Sequence, residues 1–249
     1  MTAAAVVPTP THPVPSRRAL FVATGAVIVA LIGLNLGQHF WPGQHLWVGP
    51  TAAAALLLFA RWRGLSWTQL GLGRHRLRSG VAWGAAAIAA VGLVYLVGIA
   101  LPLTRSVFLD SRYHLGVPEA LLSAFVIIPL GTVLLEEVAF RSVLWGMVAR
   151  HARTWRVLVI TSMLFGLWHV LSSLNLSSAN AGVGDALRGA GAAAGVVAVV
   201  ATVAFTTAGG VVIGELRRRS QSVLASAGLH WATNALGVLF GIVAWKLVG

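Results

Sequence analysis

The stretch Glu136-Glu137-Val138-Ala139-Phe140-Arg141 lies inside an apolar run that extends from Ala120 to Val148. The whole chain of 249 residues has six acidic side chains, and two of them stand here side by side. An ionised carboxylate at membrane depth costs several kcal/mol unless it is paired or does chemistry. The run is too long and too apolar for a surface helix, so the pair must face the interior of a helix bundle.

Working outward, the rest of the chain agrees with a bilayer as solvent. Hydrophobic residues make up 57% of the sequence and charged residues 10%, against about 25% charged in soluble domains. The expected fold class is all-α: a polytopic transmembrane helix bundle of seven to eight spans, with its active site inside the bundle. The formal net charge of +12 does not point to nucleic acid. The arginines fall in short clusters between apolar runs, and no basic helix or aromatic-basic platform is present. The expected partner at this level is membrane lipid, with no nucleic acid. There is no cysteine, which excludes disulfides, thiolate nucleophiles and cysteine zinc sites. The bias of 17 arginines to one lysine points to a bacterial source.

Three regions follow. Residues 1–18, with Pro8, Pro10, Pro13 and Pro15, predict a disordered cytoplasmic tail. Residues 19–118 predict N-terminal transmembrane helices, with spans at Ala19–Leu36, Leu46–Ala60 and Gly80–Leu101. Residues 119–249 predict the helix bundle that carries the intramembrane polar groups. Its first span runs to Val148, with a kink expected at Pro129. Val157–Leu174 and Gly189–Gly214 follow, and Val223–Val248 is one long span or two short ones. If the spans alternate, thirteen arginines fall on the side of the N-terminus. Arg105, Arg112 and Arg188 fall on the other. A multi-pass protein of the cell membrane with a cytoplasmic N-terminus is expected.

Three spans carry groups that do not belong in lipid: Glu136, Glu137 and Arg141; His169; and His230 with Asn234. Counting residues from the basic loops puts all three sets at similar depth. Glu137 and Arg141, four apart, share a helix face and can pair. Glu136 points elsewhere and lacks a partner on its own helix. Phe165 and His169 share one face of their helix. Two arrangements suit these groups. In one, Glu136 takes a proton from water, His169 orients that water, and His230 and Asn234 donate to an oxyanion. In the other, Glu136, His169 and His230 ligate zinc with an open fourth position. No H-E-x-x-H signature is present to favour the second.

Taken together, E-E-x-x-x-R at Glu136–Arg141, F-x-x-x-H at Phe165–His169 and H-x-x-x-N at His230–Asn234 resemble the CPBP family. This is the family of CAAX proteases and bacteriocin-processing enzymes, also called the Abi or type II CAAX prenyl endopeptidase family. The resemblance covers roughly Leu121 to Leu239. It implies an intramembrane endopeptidase with Glu136 as the base that activates water and His169 as its partner. His230 and Asn234 then form the oxyanion side or supply further ligands, and Glu137, Arg141 and Phe165 support the site. It also implies either a zinc metalloprotease or a metal-free glutamate mechanism. On this reading the partner is a peptide or membrane-protein substrate, whose peptide bond is cut from a cavity open to the cytoplasm or sideways to lipid. Two other classes compete. One is a proton-coupled transporter with the Glu/His cluster as relay, against which stands the lack of internal repeats. The other is a non-catalytic membrane scaffold or immunity protein.

Overall fold

The structure is a computed structural model that describes residues 16–41 and 43–248. Most of the expected tail, residues 1–15, lies outside the described residues. Ser16 starts the first helix: its side chain accepts the N–H of Ala19 at 3.2 Å, a cap for one of the orphan amides of a helix start. The boundary expected at residue 18 therefore moves to Ser16, and Arg17 and Arg18 belong to the first turn.

Among the described residues, seven apolar helices build the bundle: α1 (Arg17–Phe40), α2 (His45–Trp62), α3 (Leu77–Ala100), α4 (Val117–Val148), α5 (Thr154–Trp168), α6 (Ala194–Ser220) and α7 (Val223–Val248). Five are long and apolar enough to cross a membrane; α2 and α5 are shorter. At about 1.5 Å per residue, the 15 residues of α5 fall short of a hydrocarbon core about 30 Å thick. The span expected over Val157–Leu174 therefore breaks at Trp168, and His169 sits at a helix end rather than mid-span. The C-terminal run is one continuous helical element rather than two short ones. Among the described residues the only extended pairing is an isolated antiparallel bridge, Asp110 with Asn180.

Half of the most apolar window of α4 is buried, against 11% for α3, so α4 is the central helix. Lipid tails are as apolar as leucine, so close packing rather than transfer from water holds such helices together. Glycines permit that packing. A Cβ on Gly228 of α7 would meet the Cα of Gly84 on α3 at 2.8 Å, and one on Gly166 of α5 would meet the carbonyl of Val203 on α6 at 2.8 Å. The buried core joins both halves of the chain: Val27, Ala60, Leu65 and Leu70 pack with Leu135, Phe140, Leu144 and Phe165.

Parts of α4 and α7 are wound wider than an α-helix. Ser123–Val133, Glu137–Leu144 and Ala232–Leu236 are π-helical. Pro129, at the expected kink, lies in the first of these. Proline lacks an N–H and crowds the preceding turn, so a wider winding relieves both faults. Wide turns of this kind often mark functional sites, and two of the three carry the residues singled out above.

The two ends of the bundle are built differently. At one end, the Arg63 guanidinium donates to the carbonyl of Ala19 at 3.1 Å. Arg150 donates to the carbonyls of Arg63 and Gly64 at 2.8 and 2.7 Å. The N–H of Val223 donates to the carbonyl of Gly71 at 3.0 Å. The sequence places Arg217 between spans, after the run Gly189–Gly214. Instead α6 continues to Ser220, and Arg217 is buried, donating to the carbonyls of Arg141 and Gln69, each at 3.2 Å. At the other end, the N–H of Ala181 donates to Leu109 at 3.0 Å and the Asn180 amide donates to Val107 at 2.9 Å. There Arg112 grips Asp110 at 2.7 Å.

Candidate active site

Glu136 and Glu137 lie at the middle of α4, and both are buried. The winding points them at different partners. Glu137 Oε1 accepts from His230 Nδ1 at 2.9 Å and lies 3.8 Å from Arg141 Nε. The expected Glu137–Arg141 pair is thus present, and it has a third member from α7. Glu136 Oε1 accepts the indole N–H of Trp168 at 3.0 Å. Its other oxygen, Oε2, is buried without a hydrogen-bond partner. It faces His230 Nε2 at 3.5 Å and His169 Nε2 at 3.9 Å. Glu136, Glu137, His169 and His230 therefore converge, from three helices.

The histidine rings are held from behind. His169 Nδ1 lies 2.8 Å from the carbonyl of Phe165. A carbonyl only accepts, so Nδ1 carries the hydrogen and Nε2 of the neutral ring has a lone pair. His230 is oriented likewise by the Glu137 carboxylate. Phe165 fixes both rings by edge contacts, at 4.7 Å to His169 and 5.5 Å to His230. Its face also receives the Arg141 guanidinium, 3.9 Å from the ring centre. A desolvated cation over an aromatic face gains about 2 kcal/mol, which offsets part of the cost of burying a guanidinium whose two terminal nitrogens have no hydrogen-bond partner. Arg141 and Phe165 thus act as the frame behind the two histidines.

Asn234 lies in the π-wound part of α7 and lines a cavity of about 920 Å³ together with Glu136, His169, Trp168 and Thr233. His230 forms the buried wall behind Glu136. Trp168 was not singled out from the sequence. The available signal was an indole N–H next to His169 in an apolar helix, a donor that needs an acceptor when buried. Arg217 was also missed, because a triple arginine at a helix end reads as a solvated cluster.

Two imidazole Nε2 atoms and a carboxylate oxygen are zinc-ligand types. Among the described residues, however, no group of three or more His, Cys, Asp or Glu is placed to hold a metal ion.

Residues 118–236 match the family model described as type II CAAX prenyl endopeptidase Rce1-like. This stretch is similar to an Rce1-like CAAX protease domain. Just under half of its length is matched, and that half contains Glu136–Arg141, Phe165–His169 and His230–Asn234. Comparison with curated proteins and with solved structures gave no match. At the level of the family, the Rce1-like domain is that of a CAAX-type intramembrane endopeptidase, in agreement with the three motifs read from the sequence.

Proposed function

We propose that this Rce1-like protein hydrolyses a peptide bond of a membrane-associated chain with water activated by Glu136. The observation that carries the reading is the buried, unpartnered Oε2 of Glu136 facing two imidazole Nε2 atoms. Three acceptors aimed at one point repel one another unless a donor lies among them, and water supplies two O–H groups. In the proposed step, water donates one hydrogen to Glu136 Oε2 and the other to His169 Nε2. Its oxygen attacks the carbonyl carbon as Glu136 removes the proton. Asn234 and His230, the latter when protonated at Nε2, stabilise the oxyanion. The C–N bond then breaks, and Glu136 returns its proton to the leaving nitrogen. Glu137, Arg141 and Phe165 hold the histidines, and Trp168 holds the Glu136 carboxylate.

The test is hydrolysis of a membrane-peptide library by purified protein. Glu136→Gln keeps the size and the acceptor for Trp168 but removes the base, so activity should fall about 10²- to 10⁴-fold. A Glu136→Gln variant as active as the parent sinks the mechanism. Activity that persists in chelator-treated enzyme supports water activation without metal, whereas loss restored by added zinc assigns a metalloprotease. Proton flux in liposomes, lost in Glu136→Gln with no peptidase activity in the parent, would favour the transporter reading.

A further inference from the structure

The cavity beside Glu136 runs to a polar mouth, and the place of that mouth in the bundle indicates the side from which substrate arrives. The direction of access rests on the peptidase reading above.

The arginines first define the two ends. Thirteen of them lie at the end that holds Arg17, residues 61–79, 150–156 and 217–219, and three lie at the other. Hydrogen bonds tie the first group into a single surface: Arg63 to Ala19, Arg150 to Arg63 and Gly64, and Arg217 to Gln69. A membrane protein keeps its arginine-rich loops in the cytoplasm.

The site is then sealed from that end. Between Glu136 and the arginine-rich surface, Phe140, Leu144 and Met147 of α4 pack against Leu65 and Leu70, all buried. Ser142 clamps the same loop by donating to the Leu70 carbonyl at 2.7 Å. No lining residue of the 920 Å³ cavity comes from residues 61–79, 150–156 or 215–222.

At the opposite end the cavity continues. Past Glu136 it is lined by Thr132, Ile128 and Ser123, successively nearer the start of α4, and then by Asp110, Arg112 and Tyr113. His39, at the end of α1, joins them. Tyr113 is 38% exposed and the Arg112 side chain 44%. The charges of Arg112 and Asp110 satisfy each other, so the mouth presents hydrogen-bonding groups with little net charge.

We infer that the site is served from the arginine-poor, non-cytoplasmic face, and that its substrate is a polar peptide segment already exposed on that face, in a secreted or membrane-anchored chain. This inference differs from the sequence-based expectation of a cavity open to the cytoplasm or sideways to lipid.

The absence of cysteine makes the test direct. Single variants Tyr113→Cys, Thr132→Cys and Arg153→Cys are expressed in cells, and sealed right-side-out and inside-out vesicles are treated with a membrane-impermeant thiol reagent. The expected result is labelling of Tyr113→Cys and Thr132→Cys in right-side-out vesicles, and of Arg153→Cys in inside-out vesicles. Labelling of Thr132→Cys from the inside-out face alone overturns the inference, as does labelling of Tyr113→Cys there. The parent protein in the same vesicles is then given an external peptide library. Cleavage in right-side-out vesicles supports the inference, and cleavage confined to inside-out vesicles overturns it. The expected labelling with cleavage in neither preparation supports the direction of access and counts against the peptidase reading.

Discussion

His230 Nδ1 and Glu137 Oε1 meet at 2.9 Å, joining α7 to α4 inside the bundle. The bond turns Nε2 of the same ring toward Glu136, 3.5 Å away. One carboxylate of the pair thus aims the imidazole that the other carboxylate faces. Partners that orient a functional imidazole are worth about 10- to 100-fold in activity where they have been removed in metal sites, and the same orienting argument applies here. Glu137→Gln should lower kcat by about that factor and leave KM little changed. The double variant Glu137→Gln/His230→Gln should lose much less than the product of the two single losses, because the pair acts as a unit. Multiplicative losses in steady-state kinetics would show that they act separately.

Trp168 gives a cleaner separation of chemistry from folding. Trp168→Phe keeps a ring beside Phe140, which it meets edge-on at 5.7 Å, and removes only the donor to Glu136 Oε1. Stability should fall by about 1–3 kcal/mol, the cost of leaving a buried acceptor unmet. Peptide hydrolysis should fall about 10-fold or more as the carboxylate gains freedom. Thermal unfolding in detergent beside initial rates would measure both.

Arg217 is a structural cation. Arg217→Leu should leave the Arg141 and Gln69 carbonyls without their donor and lower stability by roughly 1–3 kcal/mol, with Tm as the readout. Gly71 reports on the same contact. Its φ is +74°, a conformation that favours glycine, and a Cβ there would run into the Arg217 guanidinium. Gly71→Ala should therefore destabilise the parent, and less so the Arg217→Leu background.

The mouth carries a pH dependence of known sign. Burial alone would push the Asp110 carboxyl up, but the hydrogen bonds and charge of Arg112 outweigh it and hold Asp110 below its ordinary value of 3.8. A depressed carboxylate contributes stability above its unfolded value, and loses it as pH falls through the folded one. Hydrogen exchange of residues 106–113 and 176–183 should be unchanged from pH 7 down to about 5 apart from the intrinsic rate. Protection should drop only below 3.8. Asp110→Asn should abolish that step.

Much of the protein was legible in the sequence because bilayers impose strict rules. Long apolar runs can only be helices, since lipid offers no partners to an open backbone. The seven apolar runs, the central place of Ala120–Val148 and the two faces of the arginine count all follow from composition and length. So does the suspicion that falls on Glu136, Glu137, Arg141, Phe165, His169, His230 and Asn234, since each polar group in lipid needs a reason.

Tertiary structure alone decided how those groups pair. Glu137 reaches His230 across 93 residues, Glu136 takes the Trp168 indole, and the Arg217 guanidinium plugs the basic end. No local pattern encodes such contacts, because helix periodicity gives the face of a residue but not the helix opposite it. The same holds for the direction of the cavity. Residues 61–79 carry five arginines between two apolar runs, yet Leu65 and Leu70 fold inward and close that end. Sequence determined which residues cannot face lipid; packing determined which of them meet, and from which side the space between them is reached.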